Sequence, residues 1–194
     1  MNFNRHFELE GKHAILSPSK PYWLNYSQDQ LRAYIMTQNA AARGTRLHDL
    51  AAKLIEEGLK LRGSTQTLAA YVNDAIGYGM TPEVALKYTD VCFGHADAID
   101  FSRGVLRIHD LKTGSGPVHM EQLEIYAALF LLEYERVLGV NPSNTKVNLR
   151  IYQNDDIQEY SPDKDRVEEL VQLVKQQEAC ASETMQEVKG YECP

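Results

Sequence analysis

The stretch "GHADAIDFSRGVLRIHDLKTG", residues 94–114, decides how this chain is read. Two runs rich in Val, Ile, Leu and Phe are split by Ser102-Arg103-Gly104, a pattern that predicts two antiparallel strands joined by a tight turn. Side chains alternate along a strand, so Asp110 and Lys112, on either side of Leu111, leave it in the same direction. Asp97 sits on the strand before. Facing side chains on paired strands lie about 5 Å apart. Two acids on neighbouring apolar strands are costly to bury unless they are paired or hold a cation.

Outward from this ribbon the texture is regular. Upstream, "PEVALKY" (82–88) predicts another strand, divided from the ribbon by Thr89-Asp90. Before it, three helices are expected. One runs from about 28 to 40 behind a Ser27/Gln30 capping box. A second begins near Thr45, with apolar residues at 47, 50, 51, 54 and 55 and His48 beside that stripe. The third, "TLAAYVNDAIGYG" (67–79), is closed by Gly77 and Gly79. The opening "LSPSKPYWLNYS" (16–27) reads as an ordered loop or helical turn. Downstream, "VHMEQLEIYAALFLLEYERVL" (118–138) is a long helix ended by Gly139 and Pro142. "KVNLRIYQ" (146–153) is a strand, the acidic run "NDDIQEYSPDKD" (154–165) a solvated loop, and 161–179 a capped amphipathic helix. Residues 179–194 lack a clear period and read as a flexible tail. The expected fold is a single α/β domain over 1–194: a mainly helical part over 1–80, then a core over 81–178 in which helices flank a central mixed sheet.

Composition narrows the function classes. There is no run of about 18 apolar residues to span a membrane, and "MNFNRHFELEGKHAIL" lacks the plan of a secretion signal. Cys92, Cys180 and Cys193 are an odd, widely spaced set, read as reduced thiols of a cytoplasmic protein. The net charge of −7 argues against a general nucleic-acid coat. It is uneven, however: residues 1–63 carry nine Lys/Arg against six Asp/Glu, a net of +3. A basic face opposite an acidic centre suits DNA if cations neutralise some carboxylates.

Two carboxylates, a backbone carbonyl and waters suit Mg²⁺ or Mn²⁺. Lys112 beside such an ion could orient or deprotonate water and offset phosphate charge, the composition of a phosphodiester-cleaving site. Taken singly, each residue also has a plainer reading. His48 could be an ordinary helix histidine, Asp97 and Asp110 turn or edge residues, and Gln122 a polar neighbour of a core Tyr126 one turn on. Ser17, Ser19 and Arg43 could bind phosphate or decorate the surface. His95 and His109 are expected to alternate with the acids, facing away as structural or solvated groups.

In order along the chain stand "RGTRLH", G-x-x-D ("GHAD"), D-x-K-T-G ("DLKTG") and Q-x-x-x-Y ("QLEIY"). Together they resemble the RecB-like branch of the PD-(D/E)xK nuclease superfamily, with its phage-type exonucleases, over roughly residues 15 to 155. The resemblance implies a restriction-endonuclease-like core and an Mg²⁺- or Mn²⁺-dependent deoxyribonuclease, an exonuclease of phage or mobile-element type, in recombination or DNA processing. It further implies that His48, Asp97 and Asp110 ligate the metal with the carbonyl of Leu111, and that Lys112 is the catalytic lysine. Glu83 resembles an acid that some members carry on the first strand. Gln122 and Tyr126 match a DNA-contacting motif, and Thr113 of D-x-K-T-G is taken with them. Some relatives hold an iron–sulfur cluster on four cysteines. With three, none before Cys92, this chain is not expected to hold one. DNA is the implied partner. With no helicase motif present, unwinding would fall to another protein, and a single-strand-annealing or helicase partner is expected. The rival expectation is a catalytically silent module of the same fold that grips DNA or blocks a nuclease.

Overall fold

In the computed structural model, the described residues are 14–16, 18, 21–63 and 66–191, with side chains left aside at 187–191. The chain falls into two compact units, residues 1–46 and 47–194. The first contains a 3₁₀ turn at Pro21–Asn25 and the start of helix α1, Gln28–Glu56. The expected capping box is formed in both directions. Ser27 N–H donates to Gln30 Oε1 at 2.8 Å, and Gln30 N–H donates to Ser27 Oγ at 3.2 Å.

The two helices expected before residue 60 are one. Nothing between 40 and 45 breaks the backbone ladder, and Thr45, read as a start signal, turns its hydroxyl back to the Ala41 carbonyl at 3.3 Å. Helix α2, Thr67–Tyr78, ends as its glycines suggest, with Gly79 in the left-handed conformation at φ 68°. Strands β1 (Thr81–Thr89), β2 (Cys92–Ser102) and β3 (Val105–Leu111) follow, then helix α3 (Glu121–Leu138) and strand β4 (Lys146–Gln153).

The five-stranded sheet runs β1-β2-β3-β4-β5, where β5 is Asp156–Tyr160. Only the β3–β4 pair is parallel, and α3 forms the long connection that parallel neighbours need. The mixed sheet flanked by helices, with a helical section before it, is the expected architecture. β5 corrects the expectation of a loop at 154–165. Asn154 and Asp155 both take positive φ, 51° and 59°, and so turn a two-residue hairpin back onto β4. Every residue of β5 is exposed, so its sequence carries no buried alternation to betray it. Helix α4 runs from Lys164 to Tyr191, into the stretch expected as a tail.

Each face of the sheet is covered by its own apolar cluster. On one, Ile99, Leu106, Ile108, Leu149 and Ile151 pack with Leu123, Ala127 and Phe130 of α3 and with Leu170 and Val171 of α4. Arg166 clamps α4 to α3, donating from Nε and Nη2 to the two oxygens of buried Glu124, each at 3.0 Å. On the other face, Ala98, Leu111 and Tyr152 meet Ala51 and Ile55 of α1 and Tyr71, Val72 and Ala75 of α2.

Polar groups on that second face are wired together. The Tyr152 hydroxyl donates to Asp74 Oδ2 at 2.8 Å, so at 3.2 Å it must accept from Nδ1–H of His109. Burial, with Arg150 and Arg107 nearby, pushes His109 down to about 3, so it stays neutral. His109 is thus structural, as expected.

Leu149, fully buried on β4, touches the larger core. Leu149→Ala should cost about 2–5 kcal/mol, read as a lowered denaturation midpoint with an unchanged slope in urea.

Candidate metal centre

The site forms where the side-chain alternation of β2 breaks. Ala96 packs in the α3 cluster and Ala98 in the α2 cluster, although residues two apart on a strand share a face. Asp97 lies between them. Across the sheet, Val84 pairs with Ala96 and Pro82 with Ala98, which brackets Glu83 opposite Asp97. Glu83 has φ 50°, a left-handed conformation that costs a residue with a Cβ about 1–2 kcal/mol. Strain of this kind collects where side chains must be aimed. On the other side the pairing of β2 with β3 begins at Ala98 and His109, and Asp97 lies close enough to Asp110 to oppose its ionisation. Glu83, Asp97 and Asp110 therefore form a row of acids across three strands.

His48 joins the row from α1. Its Nδ1 lies 3.3 Å from Asp97 Oδ2, the same oxygen that accepts the Leu111 N–H at 2.9 Å. Atoms of His48, Glu83 and Asp97 lie within 4.8 Å of one another, close enough to share one ion. Glu83 is exposed and opens the group to solvent, while His48 and Asp97 are half-buried. The hydrogen bond that His48 donates to Asp97 raises its affinity for a proton, assisted by the charge of Asp97, Asp110 and Glu83. Burial, then the charge of Asp97, raises Glu83 above the usual carboxylate range.

Asp110 stands next to this triad, outside its compact core. It is 3% exposed. Burial and Asp97 push its carboxyl up, against the pull of Lys112. Lys112 Nζ donates to Oδ1 at 3.1 Å. The other oxygen, Oδ2, lies 3.0 Å from Nζ, yet is buried with no donor in hydrogen-bond geometry. A buried carboxylate oxygen without a donor, next to a His/Glu/Asp triad, is the chemistry of a hard-cation site, and the residues fit an oxygen-rich divalent ion.

Lys112 is held from a second side, donating to Gln122 Oε1 on α3 at 2.9 Å. One turn on, the Tyr126 hydroxyl lies 3.4 Å from Gln122 Nε2. Gly94 has a mechanical part in this chain. A Cβ there would stand 2.7 Å from a ring carbon of Tyr126, so the glycine gives the ring its berth. The G-x-x-D, D-x-K and Q-x-x-x-Y motifs are thus in direct contact. Thr113 is exposed where the chain leaves β3, and Gln153 Nε2 pins the loop after it at the carbonyls of Gly114 and Gly116, at 2.6 and 2.9 Å.

Some expected residues fall elsewhere. Arg43 is exposed on α1 within the first unit, and Ser17 and Ser19 lie outside the described residues, as does Cys193. Leu111 meets Asp97 through its N–H. Asp100, two residues beyond Ala98, is drawn off to Arg107 Nη1 at 3.2 Å. His95 does not alternate with Asp97, from which it is two residues away. It is exposed and close enough to lower the proton affinity of Glu83.

Residues 84–193, more than half of the chain, match the model of a family described as "Protein of unknown function (DUF2800)". The chain belongs to the DUF2800 family. The matched span includes Gly94, Asp97, Asp110, Lys112, Gln122 and Tyr126, and begins one residue after Glu83. No curated protein matches the chain.

If Gly94 exists to seat Tyr126, Gly94→Ala should destabilise the protein by about 1–3 kcal/mol. Most of that cost should vanish when Tyr126→Ala is added. Additive costs in the double-mutant cycle would show that the two residues do not act as a pair.

Proposed function

We propose that this chain is a divalent-cation-dependent deoxyribonuclease of the PD-(D/E)xK type, hydrolysing phosphodiester bonds of DNA. The observation that carries the reading is the row Glu83–Asp97–Asp110 with His48 at one end and Lys112 at the other. A purely structural acid cluster would need cationic side chains as partners. Among the described residues this one has Lys112 on Asp110, and His48 on Asp97.

Bound Mg²⁺ or Mn²⁺ would supply Lewis acidity, lowering the pKa of a coordinated water and offsetting phosphate charge. The chain's own residues do the rest. His48, Glu83 and Asp97 would hold the ion, with Asp110 beside them as a further carboxylate ligand. The carbonyl of Leu111, between Asp110 and Lys112, is the backbone ligand the resemblance implies. Lys112, fixed between Asp110 and Gln122, orients the attacking water and, as an ammonium, offers positive charge to the phosphate. Gln122 and Tyr126 set the height of Lys112 and contact the strand being cut. Thr113 and Arg43, with Ser17 and Ser19, are assigned to the phosphate backbone. No helix among the described residues is long and apolar enough to cross a membrane. DNA is the partner, with unwinding or annealing left to another protein. Digestion from an end, in recombination or DNA processing of phage or mobile-element type, is the reading we favour.

The test is digestion of end-labelled linear DNA, circular DNA and RNA with Mg²⁺ or Mn²⁺. We expect cleavage of linear DNA that EDTA abolishes and that Asp110→Ala and Lys112→Ala each reduce by at least about 100-fold. Binding without cleavage under any metal or pH would make the chain a silent DNA-binding module. Preferred cleavage of RNA would change the substrate.

A further inference from the structure

Between the end of β3 at Leu111 and the start of α3 at Glu121 the chain reads "KTGSGPVHM". Both ends of this segment belong to the site, because Lys112 Nζ donates to Gln122 Oε1 at 2.9 Å. The Lys112 N–H donates to the Tyr152 carbonyl, also at 2.9 Å, which carries the β3–β4 pairing one step past Leu111. Beyond that bond the chain leaves the sheet. Residues 113–117 are all exposed, and a Cβ added at Gly114 or Gly116 would meet nothing within 4 Å. Packing does not hold the stretch that directly follows the lysine.

One side-chain nitrogen does. Among the described residues, the hydrogen bonds made by 113–117 are the two from Gln153 Nε2, to the Gly114 carbonyl at 2.6 Å and the Gly116 carbonyl at 2.9 Å. Two acceptors around one atom settle which way the amide points, since only its NH₂ end carries two donors. Gln153 itself stands on a braced turn. It ends β4, and two residues on, Asp155 Oδ1 accepts from the Thr67 N–H at 2.7 Å and hydroxyl at 3.0 Å. The Asp155 N–H donates back to that hydroxyl at 2.6 Å. Thr67 is the first residue of α2. The segment leaving Lys112 is thus tied, through Gln153 and Asp155, to the N-terminus of a packed helix.

We propose that Gln153 is a positioning residue for Lys112: by gripping the Gly114 and Gly116 carbonyls it holds the chain after the lysine in one course, and so keeps the ammonium between Asp110 and Gln122. The role rests on the nuclease reading above, because it needs Lys112 to act on the substrate. It brings in a residue outside all four sequence motifs, on the strand next to the one that carries D-x-K. A glutamate at 153 has the same shape but, ionised, no proton to donate, and it would face two carbonyl oxygens. The clamp would open. Misplacing a reacting group by about 1 Å can cost on the order of 100-fold in rate. His48, Glu83 and Asp97 are carried by α1, β1 and β2, so cation binding does not depend on the clamp.

Steady-state cleavage of end-labelled linear DNA by the full chain with Mn²⁺ tests this, beside Mn²⁺ binding followed by the electron paramagnetic resonance signal of the free ion. Gln153→Glu should lower kcat by about 10–100-fold, with KM, Mn²⁺ affinity and melting temperature close to those of the parent. Asp155→Ala frees the turn from α2 but keeps the amide, so it should lower kcat in the same direction by less. A parent-like kcat in Gln153→Glu would overturn the role of Gln153 and leave the nuclease reading standing. A fall in kcat accompanied by an equal loss of Mn²⁺ affinity, or by a much lower melting temperature, would trace the effect to general loosening and overturn the role as well. A parent chain that cleaves no DNA would sink the nuclease reading itself, and the role of Gln153 with it.

Discussion

The site depends on the repulsion between Asp97 and its two carboxylate neighbours. An acid on a central strand, with another acid on each adjacent strand, destabilises a fold that gains nothing from it. The local backbone holds the row together all the same. The Leu111 N–H and His48 grip one oxygen of Asp97, Lys112 grips Asp110, and Glu83 is carried into line by a left-handed backbone. A divalent ion would convert that repulsion into ligation. Burial first, and the charge of Asp97 second, raise the proton affinities of Glu83 and Asp110.

The break in alternation at Asp97 explains how one strand serves two cores. Before it, Ala96 packs under α3. After it, Ala98 packs under α1 and α2. The strand changes allegiance at Asp97, so the row of acids lies where both layers meet the sheet. From the α3 side come Gln122 and Tyr126, from the other side His48. Gly94 lets the Tyr126 ring press against β2, and so links the position of α3 to that of Lys112.

Much of this was legible in the chain. The alternation in β2 and β3, the Ser27/Gln30 box and the glycines at 79 and 139 gave the elements their places, because each is a local signal read locally. Asp110 and Lys112 could be paired from spacing alone. What could not be read was of longer range. Nothing near residue 83 shows that Glu83 takes a left-handed conformation opposite Asp97. β5 is exposed on every residue and looks like an acidic loop until its partner strand is known. The join of the first two expected helices turned on Thr45 bonding backward rather than forward. His95 is exposed, as a solvated histidine would be, although it stands two residues from Asp97.

The central claim is that an imidazole and the acid row converge on one divalent cation. Anomalous diffraction from crystals soaked in Mn²⁺ tests it most directly. A single strong peak among His48, Glu83 and Asp97, within about 2.0–2.4 Å of their ligand atoms and of an Asp110 oxygen, is the expected result. No peak at that position, or a peak elsewhere with those side chains turned apart, would contradict it.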